Sequence, residues 1–342
     1  MRRVFLSHPS DRLAHYYGDR ALAALRAVAE VRLNHEPREL STRELIEAAQ
    51  GCEAIVAYRQ TPAPAAFFAA LPELVAFLRC AVDIRTVDVQ AASAHGVLVT
   101  QASAGFIPAV VEWIVGVMVD LARGTSRYAQ AYHAGLSPAP VMGRQLHGAT
   151  LGVIGYGQIS RRLCDVALAL GMRVLVSDPH AAPQDPKLRC VALEQLLKES
   201  DFVVCLAVAN AHTENLMNER AFARMKPHAF FINASRGELV DEVALLAALD
   251  SGHVAACALD VGRAPDQMPS PALARHPQVV ATPHIGGLTM PAIEHQALET
   301  VAQLQQLLAG ELPTGAVNAG QATRLQRWRQ RSDVTDPLAS TR

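Results

Sequence analysis

The chain has 342 residues, 50% of them hydrophobic and 18% charged, with a formal net charge of -1. That length holds two domains with separate cores, and the composition is that of an ordinary globular protein. The near-neutral balance excludes a general attraction to nucleic acid or to an anionic membrane surface.

At the start, Met1-Arg2-Arg3 is basic, but the apolar run after it is only Val4-Phe5-Leu6, too short for a secretory signal. Residues 4–6, 31–33, 54–57 and 97–99 then read as strands separated by helical patterns. Ser41-Thr42-Arg43-Glu44 before an apolar run is a capping box. Strands alternating with helices predict a parallel sheet with helices on both faces. A long apolar helix over about 108–133 joins the two halves. Its apolar stretch contains Glu112 and Asp120, so it reads as a buried helix and not a membrane span. It is more apolar than one chain needs, which predicts a homodimer.

The alternation restarts near residue 150 with six stronger strands at 150–155, 173–178, 202–208, 230–234, 255–260 and 279–282. A helix over about 291–309 can return the chain to the first domain. The tail from Gln321, with Arg324, Arg327, Arg329 and Arg331, reads as a solvated charge run. Cys52, Cys80, Cys164, Cys190, Cys205 and Cys257 are scattered with no CxxC pair, which predicts reduced thiols in a cytoplasmic protein and no metal site. The expected fold is α/β: two Rossmann-like, doubly wound parallel-sheet domains with a cleft between them. Residues 1–100 plus 291–318 form the substrate domain, 101–290 the dinucleotide domain, and 319–342 a polar tail.

The dinucleotide assignment rests on Leu151-Gly-Val-Ile-Gly155-Tyr-Gly157-Gln-Ile-Ser160. Gly155 and Gly157 make the tight turn and admit a pyrophosphate close to the backbone, and the following helix offers its N-terminal amides from Gln158 and Ile159. Ser160 takes the third glycine position of the motif and is small enough for close helix packing. Ile159, Leu163, Val166, Ala167 and Leu170 trace one helix face, and Gly171 ends it. The next strand finishes at Asp178, an acid able to accept hydrogen bonds from the adenosine ribose hydroxyls and to repel a 2′-phosphate, which predicts NAD over NADP.

Three further segments follow strand ends: Asn233-Ala234-Ser235-Arg236-Gly237, Ala258-Leu259-Asp260, and Thr282-Pro283-His284-Ile285-Gly286-Gly287. Hydride transfer to a ketone creates an alkoxide that needs a proton donor working near neutral pH, the range of histidine. A guanidinium grips a carboxylate through two hydrogen bonds. Together with the cofactor loop, these segments resemble the D-isomer-specific 2-hydroxyacid dehydrogenases, over about residues 4–318. The resemblance implies that Arg236 binds the substrate carboxylate and polarises its carbonyl, and that His284 is the acid/base. It also implies that Ala234, Ser235, Asp260, His284 and Gly286 bind the cofactor, with Asp260 near the nicotinamide, and that the loop of Ala81, Val82 and Asp83 binds the carboxylate of a 2-hydroxy or 2-oxo acid.

Five positions in three segments depart from the family pattern. The family's histidine-orienting Glu stands five residues after the Asp260 position and is followed by Pro; here those places hold Pro265 and Asp266. Asp266 is the nearest carboxylate and the candidate replacement for the Glu. The substrate loop has Ala81 and Asp83 where the family has glycines. A carboxylate there, aimed at the substrate's, is repelled by roughly 4 kcal/mol at close range unless Arg85 compensates or Asp83 turns away. Val208 replaces a proline. Formate-dehydrogenase-like enzymes also lack the Glu, but carry Gln there. Two readings follow: an NAD-dependent oxidoreductase, or a non-catalytic NAD-binding regulator on the same fold, like the corepressors that share it.

Overall fold

The computed structural model describes residues 1–326 and 328. The chain divides into two compact units, one formed by Met1–Gly105 with the chain from Met290 onward, the other by Phe106–Thr289.

The first unit is built on five strands, β1 (Arg3–Leu6), β2 (Glu30–Leu33), β3 (Ala54–Ala57), β4 (Ala76–Arg79) and β5 (Leu98–Gln101). They lie in the order β2-β1-β3-β4-β5, every pairing parallel. β4 was not expected from the pattern. All four of its residues are buried, so it shows no polar alternation that would mark it as a strand. The capping box forms as read: the Ser41 hydroxyl accepts from the Glu44 amide, and the Glu44 carboxylate accepts from the Ser41 amide at 2.8 Å. The helix Met290–Leu308 belongs to this unit, and its buried Gln303 accepts from the Thr100 hydroxyl and donates to the Gln101 carbonyl.

The C-terminal segment differs from the expected solvated tail. Arg324 donates to the carbonyls of Leu71 and Leu74, both at 2.7 Å. Trp328 is 1% exposed, its indole N–H donates to the Leu307 carbonyl at 2.8 Å, and the Arg2 guanidinium lies 4.6 Å from its ring centre. Counting charges alone missed the tryptophan among them. Arg327, Arg329 and Arg331 lie outside the described residues.

The second unit carries seven parallel strands, β6 (Thr150–Ile154), β7 (Arg173–Ser177), β8 (Leu188–Cys190), β9 (Phe202–Cys205), β10 (Ala229–Asn233), β11 (Val254–Leu259) and β12 (Val279–Ala281). Their order is β12-β11-β10-β9-β6-β7-β8. The six expected strands are present, and β8 adds a three-residue edge too short and too polar to stand out in the sequence. The chain winds outward from β6 through β7 to β8, then returns to the other side of β6 at β9. That reversal opens a crevice at the strand C-termini, where such sheets bind ligands. Gly155, Asp178, Asp260 and Thr282 lie just past the ends of their strands. The expected helix over 108–133 is broken at Gly124, which takes φ +67° and separates Ile107–Arg123 from Thr125–His133. None of the described helices is long and apolar enough to cross a membrane.

Removing the Trp328 ring should test the C-terminal packing directly. Trp328→Ala should lower the unfolding free energy of the first unit by about 3 kcal/mol, as for other buried aromatics, in urea titrations followed by circular dichroism. An unchanged midpoint would mean that the ring contributes no packing.

Candidate active site

The loop after β6 closes against the loop after β9. Gly155 takes φ +88°, and a Cβ there would lie 2.8 Å from backbone atoms of Leu206 and Ala207. Only glycine meets both demands. At Gly157, the N-cap of the helix Gln158–Ala169, a Cβ would meet nothing within 4 Å. The helix N-terminus therefore faces open space, with its first amides and dipole directed where an anion can sit. Gln158 is exposed and Ile159 half-buried. Ser160 is buried as its packing role requires, although its hydroxyl has no hydrogen-bond partner among the described residues.

Asp178 binds this loop from below. Its Oδ2 accepts from the Tyr156 amide at 2.7 Å, and its Oδ1 accepts from the amides of His180 and Ala181. Burial favours the neutral acid, but these amides outweigh it and hold the carboxyl below its usual range. The acid is thus ionised while it braces the glycine turn. A carboxylate has about four acceptor positions, so capacity for a ribose hydroxyl is left. The open helix terminus, the forced glycine and the ionised acid fit a dinucleotide.

The loop after β10 is stapled by Asn233, which is 1% exposed. Its Oδ1 accepts from the Ser235 amide and its Nδ2 donates to the Arg236 carbonyl. The Ser235 hydroxyl donates to the Ala207 carbonyl at 2.6 Å, tying this loop to the cofactor turn, and half-buried Ala234 packs on the core. The Arg236 guanidinium donates to the Ser235 carbonyl at 2.8 Å. Gly237 is obligatory, since a Cβ there would lie 2.1 Å from the Gly262 carbonyl carbon.

Asp260, at the end of β11, is 4% exposed. Its Oδ1 accepts from the Thr282 hydroxyl at 2.6 Å and the Ile285 amide at 2.8 Å, and its Oδ2 from the Gly286 amide at 2.7 Å. A Cβ at Gly286 would stand 2.8 Å from that Oδ2. Asp260 thus gathers the histidine loop, and His284 sits within it at φ +56°.

The His284 Nδ1 lies 3.0 Å from the main-chain carbonyl of Asp266. The group that meets Nδ1 in this bond is the main-chain carbonyl of Asp266. The carbonyl faces the ring because Asp266 has a left-handed backbone, φ +57° and ψ +28°, which no residue pattern announced. A carbonyl only accepts, so Nδ1 carries the proton. Nε2 is then the nitrogen that exchanges a proton with a ligand.

In the first unit, Ala81 is buried, and Val82 and Asp83 are half-buried. The Asp83 carboxylate is paired with Arg85, whose Nη2 lies 2.9 Å from Oδ2, and it also accepts from the Arg85 amide. The compensating arrangement is the one that forms. Beneath it lies Arg79, 1% exposed. It donates to the carbonyls of Tyr58, Arg59, Thr61 and Asp83 and to the Thr86 hydroxyl. Burial lowers its pKa to about 10. The sequence assigns Arg79 no role, because the strand that it ends is not marked by the pattern. The sequence marks Asn233 and Gly237 as parts of the Asn-x-x-Arg-Gly segment but gives neither a role.

A model of the D-isomer-specific 2-hydroxyacid dehydrogenase NAD-binding domain matches residues 115–286. D-3-phosphoglycerate dehydrogenase of Mycobacterium leprae is 32% identical over 87% of this chain and 56% of its own length. The Mycobacterium tuberculosis enzyme of the same name is also 32% identical, over 92% of this chain and 60% of its own. The chain thus spans little more than half the length of these relatives. The TT0316 protein of Thermus thermophilus superposes with a TM-score of 0.83 at 29% identity, covering 92% of this chain and 99% of that one. D-lactate dehydrogenase of Escherichia coli does so with 0.78 at 25% identity, covering 93% and 100%. The cofactor turn and the three strand-end loops, the last as far as Gly286, lie within the span the family model matches, and the chain belongs to the D-isomer-specific 2-hydroxyacid dehydrogenases.

Proposed function

We propose that the chain is an NAD-dependent oxidoreductase that interconverts a 2-oxo acid and its D-2-hydroxy acid. The observation that carries this reading is His284, with Nδ1 bound to a carbonyl 3.0 Å away and Nε2 left as its proton-exchanging nitrogen. When bound, NAD would be the donor or acceptor of the hydride. Gly155, Gly157, Gln158 and Ile159 hold its pyrophosphate and Asp178 its ribose, while Ala234, Ser235, Asp260 and Gly286 frame the nicotinamide end. Arg236 binds the substrate carboxylate and polarises the carbonyl, its guanidinium directed by the bond to the Ser235 carbonyl. His284 delivers a proton from Nε2 to the oxygen during reduction and takes it back during oxidation. Ala81, Val82 and Asp83 form the substrate loop, with Asp83 neutralised by Arg85.

The same reading includes a homodimer. Val119, Tyr132, Leu136, Val141 and Met142 are 43%, 63%, 61%, 71% and 95% exposed, a run of apolar side chains within one stretch of the second unit. A second copy of that stretch would cover them. Five of the six thiols are buried and all six are free, in keeping with a reducing cytoplasmic compartment.

His284→Ala should lower kcat for 2-oxo acid reduction by about 100- to 10,000-fold and leave NADH affinity unchanged. Arg236→Ala should lower kcat and raise KM together. Rates at the wild-type level in both variants, on a substrate the wild type turns over, would misplace the site. NADH binding with no turnover across a panel of 2-oxo acids would favour the regulatory reading.

Asp178→Ala should narrow the preference for NADH over NADPH about tenfold or more, as removal of a repelling charge implies. Equal wild-type affinity for the two cofactors would contradict the role of Asp178. Light scattering at micromolar concentration should give twice the chain mass, and a monomer there would refute the dimer.

A further inference from the structure

Asp266 and Gln267 are consecutive non-glycine residues in the left-handed region, at φ +57° and φ +58°. Side chains disfavour this backbone, and such strain persists only where surrounding contacts impose it. The contacts are specific. The Gln267 carbonyl accepts from the Gly262 amide at 2.8 Å, closing the 262–267 loop. Its side-chain Oε1 accepts from the Gly237 amide at 3.4 Å, and its Nε2 donates to the Glu238 carboxylate at 3.2 Å. Gln267 therefore touches the turn that follows Arg236 with its side chain, while its backbone fixes the reversal that presents the Asp266 carbonyl to His284. Close packing leaves these segments little room to slide. A Cβ on Gly237 would strike Gly262, and a Cβ on Gly262 would come within 2.6 Å of Pro269.

We infer that Gln267 is a positioning residue that fixes Arg236 and His284 relative to each other, in place of the orienting carboxylate absent at Pro265. The inference rests on the dehydrogenase reading for its kinetic consequences, but not for its geometry. Two parts of Gln267 act separately. The side chain holds the Arg236 turn, and the left-handed backbone holds the partner of His284.

Two substitutions separate these parts. Gln267→Gly keeps the left-handed backbone and removes the side chain. Gln267→Val introduces a β-branched residue that resists that backbone. With the 2-oxo acid the wild type reduces best, Gln267→Gly should raise KM about tenfold, the size expected for loss of one or two hydrogen bonds. Its kcat should change less. Gln267→Val should also lower kcat about tenfold or more. NADH affinity by fluorescence titration should stay within about twofold of wild type in both, since the cofactor turn is untouched.

Nitrogen NMR of histidine-labelled protein, with the His284→Ala spectrum for assignment, supplies a readout that needs no turnover. In the wild type and in Gln267→Gly, neutral His284 should be protonated at Nδ1. In Gln267→Val the two tautomers should mix. A wild-type KM in Gln267→Gly overturns the side-chain role, and an unmixed tautomer in Gln267→Val overturns the backbone role. A Gln267→Val chain that fails to fold leaves the backbone role to Gln267→Gly, where loss of the Nδ1 proton would overturn it. If the wild type reduces no 2-oxo acid, the dehydrogenase reading fails, and the tautomer spectra still decide whether Gln267 positions His284.

Discussion

The buried carboxylate of Asp260 sets the histidine loop, because three donors from that loop converge on it: the Thr282 hydroxyl and the amides of Ile285 and Gly286. Hydrogen bonds to a charged acceptor contribute about 1.5–3 kcal/mol each. Burying the charge costs several kcal/mol. The two terms are of the same size, so little net stability is left, and what Asp260 contributes is geometry. It draws the chain after β12 into a tight path in which Gly286 has no room for a side chain and His284 takes a left-handed conformation. The identity of residue 286 and the backbone of residue 284 both follow from where the carboxylate sits.

The same device recurs around the site. Polar groups at strand ends bind backbone, and the functional side chain rides on the loop they shape. Asp178 braces the glycine turn through the Tyr156 amide, and Asn233 closes the loop that carries Arg236. In the first unit, Arg79 gathers the carbonyls of residues 58, 59, 61 and 83. Burial lowers its pKa because the cost of desolvating the guanidinium outweighs the attraction of the nearby Asp83 carboxylate. Five directed bonds on one rigid, planar group fix the loops on which Asp83 and Arg85 pair.

The parts that were legible in the sequence are those where one residue type has one physical reason to be present. Gly155 and Gly237 are needed because backbone lies against them, and the alternation of apolar runs with helices specifies parallel sheets. Strands β4 and β8 were missed for opposite reasons: β4 is buried on every residue, and β8 is an edge with two exposed positions out of three. Gly124 ends the helix where its apolar run stops, a stop signal that the expected 108–133 helix runs past. The C-terminal arginines dominated a reading in which Trp328 should have counted, since a buried indole outweighs several solvated charges. The pairing of Asp83 with Arg85 was one of several stated possibilities, and only side-chain geometry could select it.

The partner of His284 was illegible for a deeper reason. A search for a carboxylate considers side chains, but the group that meets Nδ1 is a main-chain carbonyl that every residue possesses. What selects it is the backbone direction at Asp266, and that direction depends on contacts from Gly262, Gly237 and Glu238 to Gln267. A carbonyl can accept from Nδ1–H whether the imidazole is neutral or cationic, so the ring keeps its orientation through a full cycle of proton transfer. It brings no charge of its own to Nδ1. Orientation, one of the two things a glutamate supplies in the family pattern, comes at Nδ1 from the backbone.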